Sequence, residues 1–335
     1  MVRQIVEVSL DDFDTRRDEI AQQLFSAAKD VGFFYISGHG IAQEEIDAAF
    51  AAGRAFFGLP KAAKERYPFN PETYLGWRGP DELETVTGPH FQETALSFQA
   101  KVHDIAVKIL KSLFRGLGRD ESVIDDAFEL EHPDHASFLA WNHYPGLSEA
   151  EIGALRTDSD KLPPRLHAHA DVDVLTLLFQ RVGDVGLEIA PGNEVEDLSL
   201  VEEVGNPWTG VPVAREWTPL DPRPGCLTVN IGDGLTRWTD GIFKSTYHRV
   251  RAPKAGDPTG PRYSIPYFVI PKLNYAIQGP SQRWGPVTGF DLLAKTGHAY
   301  VSLKNNPDKT WQRAAYTDEI AELTTEHIVA GGNTA

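Results

Sequence analysis

His169 and Asp171 lie two positions apart just ahead of an apolar run, and His248 follows far downstream. Two imidazoles and one carboxylate can occupy one face of a metal ion, a donor set typical of non-haem Fe(II) centres that leaves positions open for oxygen and a co-substrate. If this segment is a strand, His169 and Asp171 point to the same side and can reach one ion. A His-x-Asp triplet is common by chance, so it predicts a metal site only together with further motifs.

A second set of polar residues can hold an acid. Arg262 and Ser264 are two positions apart in an apolar stretch, so in a strand they share a face where a guanidinium and a hydroxyl can bind a carboxylate. Asn142 and Tyr144 alternate in the same way and can offer an amide and a phenol to the same pocket. A carboxylate anchor near the three metal ligands predicts an acidic co-substrate.

The elements that must position these residues are mainly short strands, which follow a helix-rich N-terminal part of the chain. Helical spacing of apolar residues predicts helices around residues 20–31, 46–57 and 98–113, with a short one opened by Pro60. From Phe138 onward, short apolar runs separated by Gly, Pro and Asp are typical of an antiparallel barrel or sandwich. The predicted strands are residues 33–37, 138–144, 165–170, 175–180, 187–190, 226–231, 246–252 and 263–270.

Several ordered motifs carry a resemblance to a known family. They are VGFFYISGHG at 31–40, HAD at 169–171 followed by LTLLFQ at 175–180, PGCLTVNIGD at 224–233, KSTYHRV at 244–250, and Arg262-x-Ser264. In these motifs the chain resembles the isopenicillin N synthase-like branch of the Fe(II)- and 2-oxoglutarate-dependent dioxygenases over nearly its whole length. The motifs, especially Gly76-Trp77 and Leu178-Phe179-Gln180, look most similar to those of microbial and fungal enzymes that tailor natural products.

The resemblance implies a fold, a set of ligands and a reaction. The fold would be mainly β with flanking helices and a double-stranded β-helix (jelly-roll) core, in a single dioxygenase domain over residues 1–335. Its parts would be a helix-rich segment at 1–120, the core with the metal site at 136–275 and a C-terminal helix at 305–331. His169, Asp171 and His248 would bind Fe(II), Arg262 and Ser264 would grip the distal carboxylate of 2-oxoglutarate, and Asn142 and Tyr144 would lie near its keto-acid end.

The implied reaction is oxidation of an unactivated C–H bond of a small molecule by O2, giving hydroxylation, desaturation, ring formation or ring expansion, with ascorbate supporting turnover in vitro. We expect a role in secondary metabolism. The loop at 74–79 resembles the family segment that approaches the substrate, and aromatic walls with one arginine predict a mid-sized, mainly apolar substrate with an acceptor group. The candidate substrate residues are Tyr74, Trp77, Arg78, Phe91, Val172, Asp173 and Phe268.

Composition limits the partners and the compartment. The 335 residues carry a formal net charge of −16, which disfavours a nucleic-acid partner or an anionic membrane surface. The single cysteine excludes an intrachain disulfide and a cysteine-rich metal cluster. The N-terminus lacks a signal-peptide pattern and no run of about 18 apolar residues exists to span a bilayer, so we expect a cytoplasmic protein.

Two alternative functions remain open at this point. One is an isopenicillin N synthase-like oxidase that uses iron without 2-oxoglutarate, with Arg262 and Ser264 holding a substrate carboxylate. The other is a non-catalytic binding protein of jelly-roll fold. Dinucleotide fingerprints, phosphate loops and the Gly-x-Ser-x-Gly elbow are missing, which excludes nucleotide-dependent and serine-hydrolase classes. At Thr94–Ala95 family members usually have a longer connection, so the chain has either a natural deletion or an omitted or mobile lid segment there, and we favour the lid.

Overall fold

The computed structural model describes residues 4–70, 75–79, 83–87, 93–157, 162–194 and 217–295. Its helices are α1 (Arg17–Asp30), α2 (Gln43–Phe57), α3 (Lys61–Lys64), α4 (Glu93–Gly116), α5 (Val123–Ala127), α6 (Glu149–Thr157), α7 (Asp233–Trp238) and α8 (Gly289–Lys295). Its strands are β1 (Glu7–Ser9), β2 (Phe33–Ser37), β3 (Gly76–Arg78), β4 (Glu84–Thr87), β5 (Phe138–Tyr144), β6 (Leu166–His169), β7 (Leu175–Gln180), β8 (Leu187–Glu194), β9 (Thr218–Pro219), β10 (Leu227–Ile231), β11 (Thr246–Val250), β12 (Arg262–Val269), β13 (Ala276–Ile277) and β14 (Val287–Thr288).

Most strands belong to two sheets. The larger sheet has eight strands in the order β1-β2-β10-β7-β12-β5-β4-β3, and the smaller has four in the order β6-β11-β8-β9. Strand β1 pairs with β2 in parallel, and the other pairs of both sheets are antiparallel. An apolar cluster joins the inner faces of the two sheets, with Phe33 and Tyr144 from the larger sheet and Ile189 and Val250 from the smaller. This arrangement confirms the predicted jelly-roll core.

The outer face of the larger sheet packs against helices. In α1, Asp18 and Glu19 lie in the first turn and Lys29 in the last, which suits the helix dipole at both ends. Helices α1 and α4 contact each other, and a Cβ at Gly116 would lie 2.8 Å from the carbonyl oxygen of Ala21, so glycine permits this close approach. The side chains that α1 contributes to the apolar core on this face recur at helical spacing: Ile20, Leu24, Ala27 and Ala28.

The structure confirms most predicted elements and adds others. Strands β2, β5 and β7 have the predicted bounds, because each is an apolar run that ends at a polar or glycine-rich turn. The hairpin of β3 and β4 was not predicted as strand, since Gly76 to Arg78 was interpreted as loop and Glu84–Thr87 is mostly polar in sequence although it is buried.

Two further predictions concern the start of α4 and the C-terminal end of the chain. Helix α4 begins at Glu93 and passes Thr94 and Ala95 without interruption, so the lid expected at that peptide is not seen and the shorter connection belongs to the chain. The predicted C-terminal helix at 305–331 lies outside the described residues. Among the helices that the structure describes, none combines the length and apolar character that crossing a bilayer requires.

Candidate metal centre and acid-binding pocket

The structure brings the three predicted metal ligands together at one end of the sandwich. His248 on β11 is the direct cross-strand partner of His169 on β6. Asp171 Oδ1 lies 3.5 Å from Nε2 of His169 and 3.7 Å from Nε2 of His248. One ligand atom from each residue lies within 4.8 Å of the others, and we found no second such group among the described residues. The spacing suits a small cation bound between them.

Backbone carbonyls orient both imidazoles. Nδ1 of His169 lies 2.8 Å from the carbonyl oxygen of His167, and Nδ1 of His248 lies 3.3 Å from that of Thr246. A carbonyl oxygen only accepts, so each Nδ1 must carry the proton and each Nε2 keeps its lone pair for a metal. The imidazole of His167 is exposed and is not part of the group.

Asp171 is held by the larger sheet. Strand β6 ends at His169, so Asp171 lies just beyond it, and the premise that both ligands share one strand face holds only in part. The Thr176 hydroxyl lies 2.6 Å from Asp171 Oδ2, and Asn230 Nδ2 donates to the same oxygen at 2.8 Å. Because Oδ2 is occupied by these bonds, Oδ1 is the oxygen that faces the two imidazoles.

The loop that carries Asp171 is clamped by the start of α7. The amides of Asp233 and Gly234 each donate at 2.8 Å, to the carbonyl oxygens of Asp171 and Asp173. A Cβ at Gly232 would lie 2.2 Å from the carbonyl oxygen of Asp173, so this close approach requires glycine. The loop after the first ligand is therefore fixed before any metal binds.

The protonation of the three ligands follows from burial and mutual charge. Burial lowers the pKa of His248 to about 4, and the neighbouring His169 acts in the same direction. Burial alone would raise the pKa of Asp171, but the two histidines and the hydrogen bonds from Thr176 and Asn230 lower it overall. Neutral imidazoles and an ionised carboxylate are the forms that bind a metal.

A row of polar side chains crosses the inner face of the larger sheet from the metal ligands. Cross-strand partners share a face, and the register pairs Arg262 with Tyr144, and Ser264 with both Asn142 and Gln180. Arg262 is 2 % exposed, and its guanidinium carbon lies 4.8 Å above the Tyr144 ring. Its Nη2 donates to Gln180 Oε1 at 2.7 Å. The predicted acid anchor is thus assembled on one face.

One buried hydrogen-bond donor in this row has no partner among the described residues. Nη1 of Arg262 is buried and has no hydrogen-bond partner among the described residues. Nδ2 of Asn142 lies 3.5 Å from Ser264 Oγ, and Thr85 donates to Asn142 Oδ1 at 3.0 Å. A buried unpaired guanidinium donor is costly, so the pocket fits an anionic ligand such as the distal carboxylate of a dicarboxylic keto acid.

Three of the predicted substrate residues, Arg78, Val172 and Phe268, are partly exposed. Phe268 is on the inner face, opposite Thr176 and 5.1 Å from the Phe138 ring. Val172 is half-buried directly after a metal ligand. Arg78 pairs with Thr85, which pairs with Asn142, so Arg78 lies at the end of the inner-face row, with its guanidinium carbon 4.4 Å above the Phe69 ring.

Two other candidates are buried. Trp77 is 7 % exposed, lies on the outer face opposite Val86, and donates to Glu84 Oε1 at 2.8 Å, and its substrate contact stays a prediction. Asp173 is 1 % exposed with Oδ2 2.9 Å from the Thr176 hydroxyl, so it contacts the residue that also contacts Asp171, and its predicted substrate contact stays a prediction. Tyr74 and Phe91 lie outside the described residues.

Sequence reasoning did not assign roles to Thr176 and Asn230. Both are polar residues at alternate positions of otherwise apolar strands, which was the available signal. Thr176 has one hydroxyl proton but lies between two carboxyl groups. Burial, followed by the charge of Asp171, raises the pKa of Asp173 well above its usual range, so Asp173 can donate to Thr176 while Thr176 donates to Asp171.

Family models match both halves of the chain. Residues 5–106 match the model described as the N-terminal region of non-haem dioxygenases in morphine synthesis, and residues 136–271 match the 2OG-Fe(II) oxygenase superfamily. The second match contains the candidate metal ligands and the residues of the predicted acid anchor.

Individual proteins resemble the chain over most of its length. The 2-oxoglutarate-Fe(II) type oxidoreductase ppzD of Metarhizium rileyi is 28 % identical, with 80 % of this chain and 82 % of that protein covered. Validamycin A dioxygenase of Streptomyces hygroscopicus subsp. limoneus is 27 % identical, with 76 % and 72 % covered. A full-length Neurospora crassa protein, solved in complex with alpha-KG and 5-formyluracil, has a TM-score of 0.71 at 23 % identity and covers 87 % of this chain and 95 % of its own, which shows a shared fold. The chain belongs to the 2OG-Fe(II) oxygenase superfamily and is an Fe(II)- and 2-oxoglutarate-dependent dioxygenase.

Proposed function

We propose that this chain oxidises an unactivated C–H bond of a small molecule, by hydroxylation, desaturation, or ring formation or expansion, in secondary metabolism. The main support is that the three clustered metal ligands and the unpaired guanidinium donor of Arg262 both lie between the two sheets of the sandwich. When bound, Fe(II) with 2-oxoglutarate and O2 supplies the oxidising power, and the keto acid leaves as succinate and carbon dioxide. The relatives named above include oxidoreductases of fungi and streptomycetes, which supports the assignment to natural-product chemistry.

The residues of the chain bind and orient in this proposal. His169, Asp171 and His248 hold the iron through Nε2, Oδ1 and Nε2. Arg262 and Ser264 hold the distal carboxylate of the keto acid, and Asn142 and Tyr144 lie along the same ligand. The jelly-roll walls exclude water from this space, since His248 and Arg262 are 8 % and 2 % exposed.

Substrate selection falls to residues beside the metal ligands and at the far end of the inner-face row. Phe268 and Val172 would offer apolar contacts beside the metal, and Arg78 would pair with an acceptor or anionic group of the substrate. We therefore propose a mid-sized, mainly apolar substrate with such a group.

We also propose that residues 1–335 form one domain, because one apolar core contains residues of α1, α2 and α4 together with strands β5, β7, β10 and β12. We further propose that the protein acts in the cytoplasm without a nucleic-acid partner.

The test is a turnover assay that reports succinate. Purified protein is incubated with Fe(II), 2-oxoglutarate, ascorbate and a library of candidate metabolites, and succinate and oxidised products are followed by mass spectrometry. We expect substrate-stimulated succinate formation that stops when the metal is chelated. Oxygen uptake that is independent of 2-oxoglutarate would contradict the proposal and favour the isopenicillin N synthase-like alternative.

A further inference from the structure

Arg165 lies at the edge of the acid-binding pocket, directly before strand β6. Its Nη2 donates to the carbonyl oxygen of Gly260 at 3.0 Å and approaches that of Pro145 at 3.4 Å. Pro145 directly follows Tyr144, and Gly260 comes two residues before Arg262. Because Tyr144 and Arg262 are cross-strand partners, Arg165 is held at the same end of the inner face as the acid anchor.

Arg165 and Arg262 form a pair of neighbouring cations. Burial lowers the pKa of Arg165, and the positive charge of Arg262 lowers it further, partly offset by Asp184. The Asp184 carboxylate is already engaged, because it accepts from Arg181 at 2.9 and 3.1 Å and from the amide of Tyr263 at 3.1 Å. The other carboxylate that acts on Arg165, that of Glu151, accepts from Ser148, so neither carboxylate forms a salt bridge with Arg165 or Arg262 among the described residues.

Both guanidinium groups have a donor left over. Nε of Arg165 and Nη1 of Arg262 are buried, and neither has a hydrogen-bond partner among the described residues. Leaving one buried donor of a charged group unsatisfied costs free energy, and leaving two at one site is expected only where a ligand fills them. A carboxylate has about four acceptor positions, which is enough for both guanidinium donors and the Ser264 hydroxyl.

We propose that Arg165 is a second guanidinium anchor for the distal carboxylate of 2-oxoglutarate, with its Nε donating beside Nη1 of Arg262. This inference rests on the proposed function. It assigns Arg165 a binding role that its bonds to two carbonyls alone do not require, because those bonds use Nη2. It also makes the segment that leads into His169 sensitive to the co-substrate, since Arg165 and His169 bracket the same short strand.

The experiment compares two keto acids in the absence of turnover. Protein loaded with Mn(II) under anaerobic conditions is titrated by calorimetry with 2-oxoglutarate and with 2-oxovalerate, which has the same chain length but no distal carboxylate. The variants are Arg165→Met, which keeps an apolar stem, and Arg165→Lys, which keeps the charge. Arg223→Met is the control, because Arg223, like Arg165, approaches a backbone carbonyl oxygen, that of Ile5 at 3.5 Å, although it also contacts the Glu7 carboxylate at 3.4 Å.

We expect Arg165→Met to raise the Kd for 2-oxoglutarate by about 10- to 100-fold, the range for losing a hydrogen bond to a charged group. The Kd for 2-oxovalerate should change less than about twofold, Arg165→Lys should weaken 2-oxoglutarate less than Arg165→Met does, and Arg223→Met should change neither affinity. Equal weakening of both acids, or unchanged 2-oxoglutarate affinity, would overturn the anchor. If Arg165→Met does not fold, as judged by circular dichroism, Arg165→Gln gives the same comparison.

The design separates this inference from the proposed function. Wild-type protein that binds 2-oxoglutarate and forms succinate, combined with an unaffected Arg165→Met variant, removes only the second anchor. Wild-type protein that binds neither keto acid in the presence of Mn(II) would overturn the proposed function, and the anchor with it.

Discussion

The two faces of the larger sheet use the same strands for different purposes. On β7, Leu177 points outward into the apolar core beneath the helices, whereas Thr176 points inward and contacts Asp171. On β12, Ile265 and Tyr267 belong to that same outer core, whereas Arg262 and Ser264 belong to the inner polar row. Because side chains alternate along a strand, neighbouring residues can be assigned to stability and to ligand binding separately. Substitutions on the two faces should therefore have different consequences.

The largest effect should come from removing a metal ligand on the inner face. His169→Ala or His248→Ala should lower succinate formation by more than about 100-fold, since even residues that only orient metal ligands typically contribute 10- to 100-fold. The outer core is untouched, so both variants should keep the circular dichroism spectrum of the wild type. Wild-type turnover that survives exhaustive chelation would exclude this assignment of the metal site.

Loss of the acid anchor should be the next largest effect. Arg262→Ala should weaken 2-oxoglutarate binding by about 2–5 kcal/mol, the cost of removing one partner of a buried charge pair. Calorimetry with Mn(II)-loaded protein measures it, and metal affinity in the absence of keto acid should be unchanged. A variant with wild-type affinity for the keto acid would show that Arg262 holds something else.

Adjacent residues of β7 give the sharpest comparison of the two faces. Leu177→Ala should lower the free energy of unfolding by about 2–5 kcal/mol through the cavity it leaves, with Mn(II) affinity unchanged. Thr176→Val should lower Mn(II) affinity by about 10- to 100-fold because Asp171 loses its hydroxyl partner. Urea unfolding and metal titration of both variants test this, and similar effects on both measurements in both variants would refute the separation of the two faces.

Acid should lower the free energy of unfolding of the metal-free protein through His248 on the smaller sheet. The pKa of His248 is about 4 in the folded protein against 6.5 for an ordinary histidine, so the unfolded chain binds the proton more readily between these values. Stability is therefore complete above about pH 6.5 and falls as pH decreases toward 4, by at most about 3 kcal/mol. His248→Gln should flatten this part of the curve in urea unfolding at a series of pH values; a slope equal to that of the wild type would assign it to other groups.

The smallest effect should come from the end of the inner-face row. Arg78→Ala should raise the KM of the native substrate by about 10-fold, within the range for one hydrogen bond to a charged group. Iron binding and substrate-independent decarboxylation of 2-oxoglutarate should persist, because Arg78 is separated from Ser264 by two strands. If Arg78→Ala and Val172→Ala both leave affinity and products unchanged, the substrate binds elsewhere.

The sequence was sufficient to predict the residues whose chemistry is carried by their own spacing. Arg262 and Ser264 could be paired because alternation within one strand places both side chains on the same face, whereas Asp171 lies just beyond the strand that contains His169. The apolar runs of β5 and β7 likewise defined their own ends. Local patterns of this kind can be recognised without knowing which strands pair.

Contacts between distant segments could not be predicted in this way. Thr176 and Asn230 meet Asp171 only because β7 pairs with β10 in one register, and Arg165 meets the anchor only because the ends of β5 and β12 lie side by side. The sequence likewise could not show that Trp77 faces outward, because this follows from the pairing of β3 with β4. Long-range strand register was the missing information in each case.

The origin of the metal ligands also bears on how the sandwich moves. His169 and His248 belong to the smaller sheet, whereas Asp171 is tethered to the larger sheet through Thr176 and Asn230. An ion bound to all three would crosslink the two sheets, so transient separation of the sheets at this point would require release of the ion. Amide hydrogen exchange in β6 and β11 would then become a gauge of metal occupancy, slowing as the ion binds because only the closed state binds it.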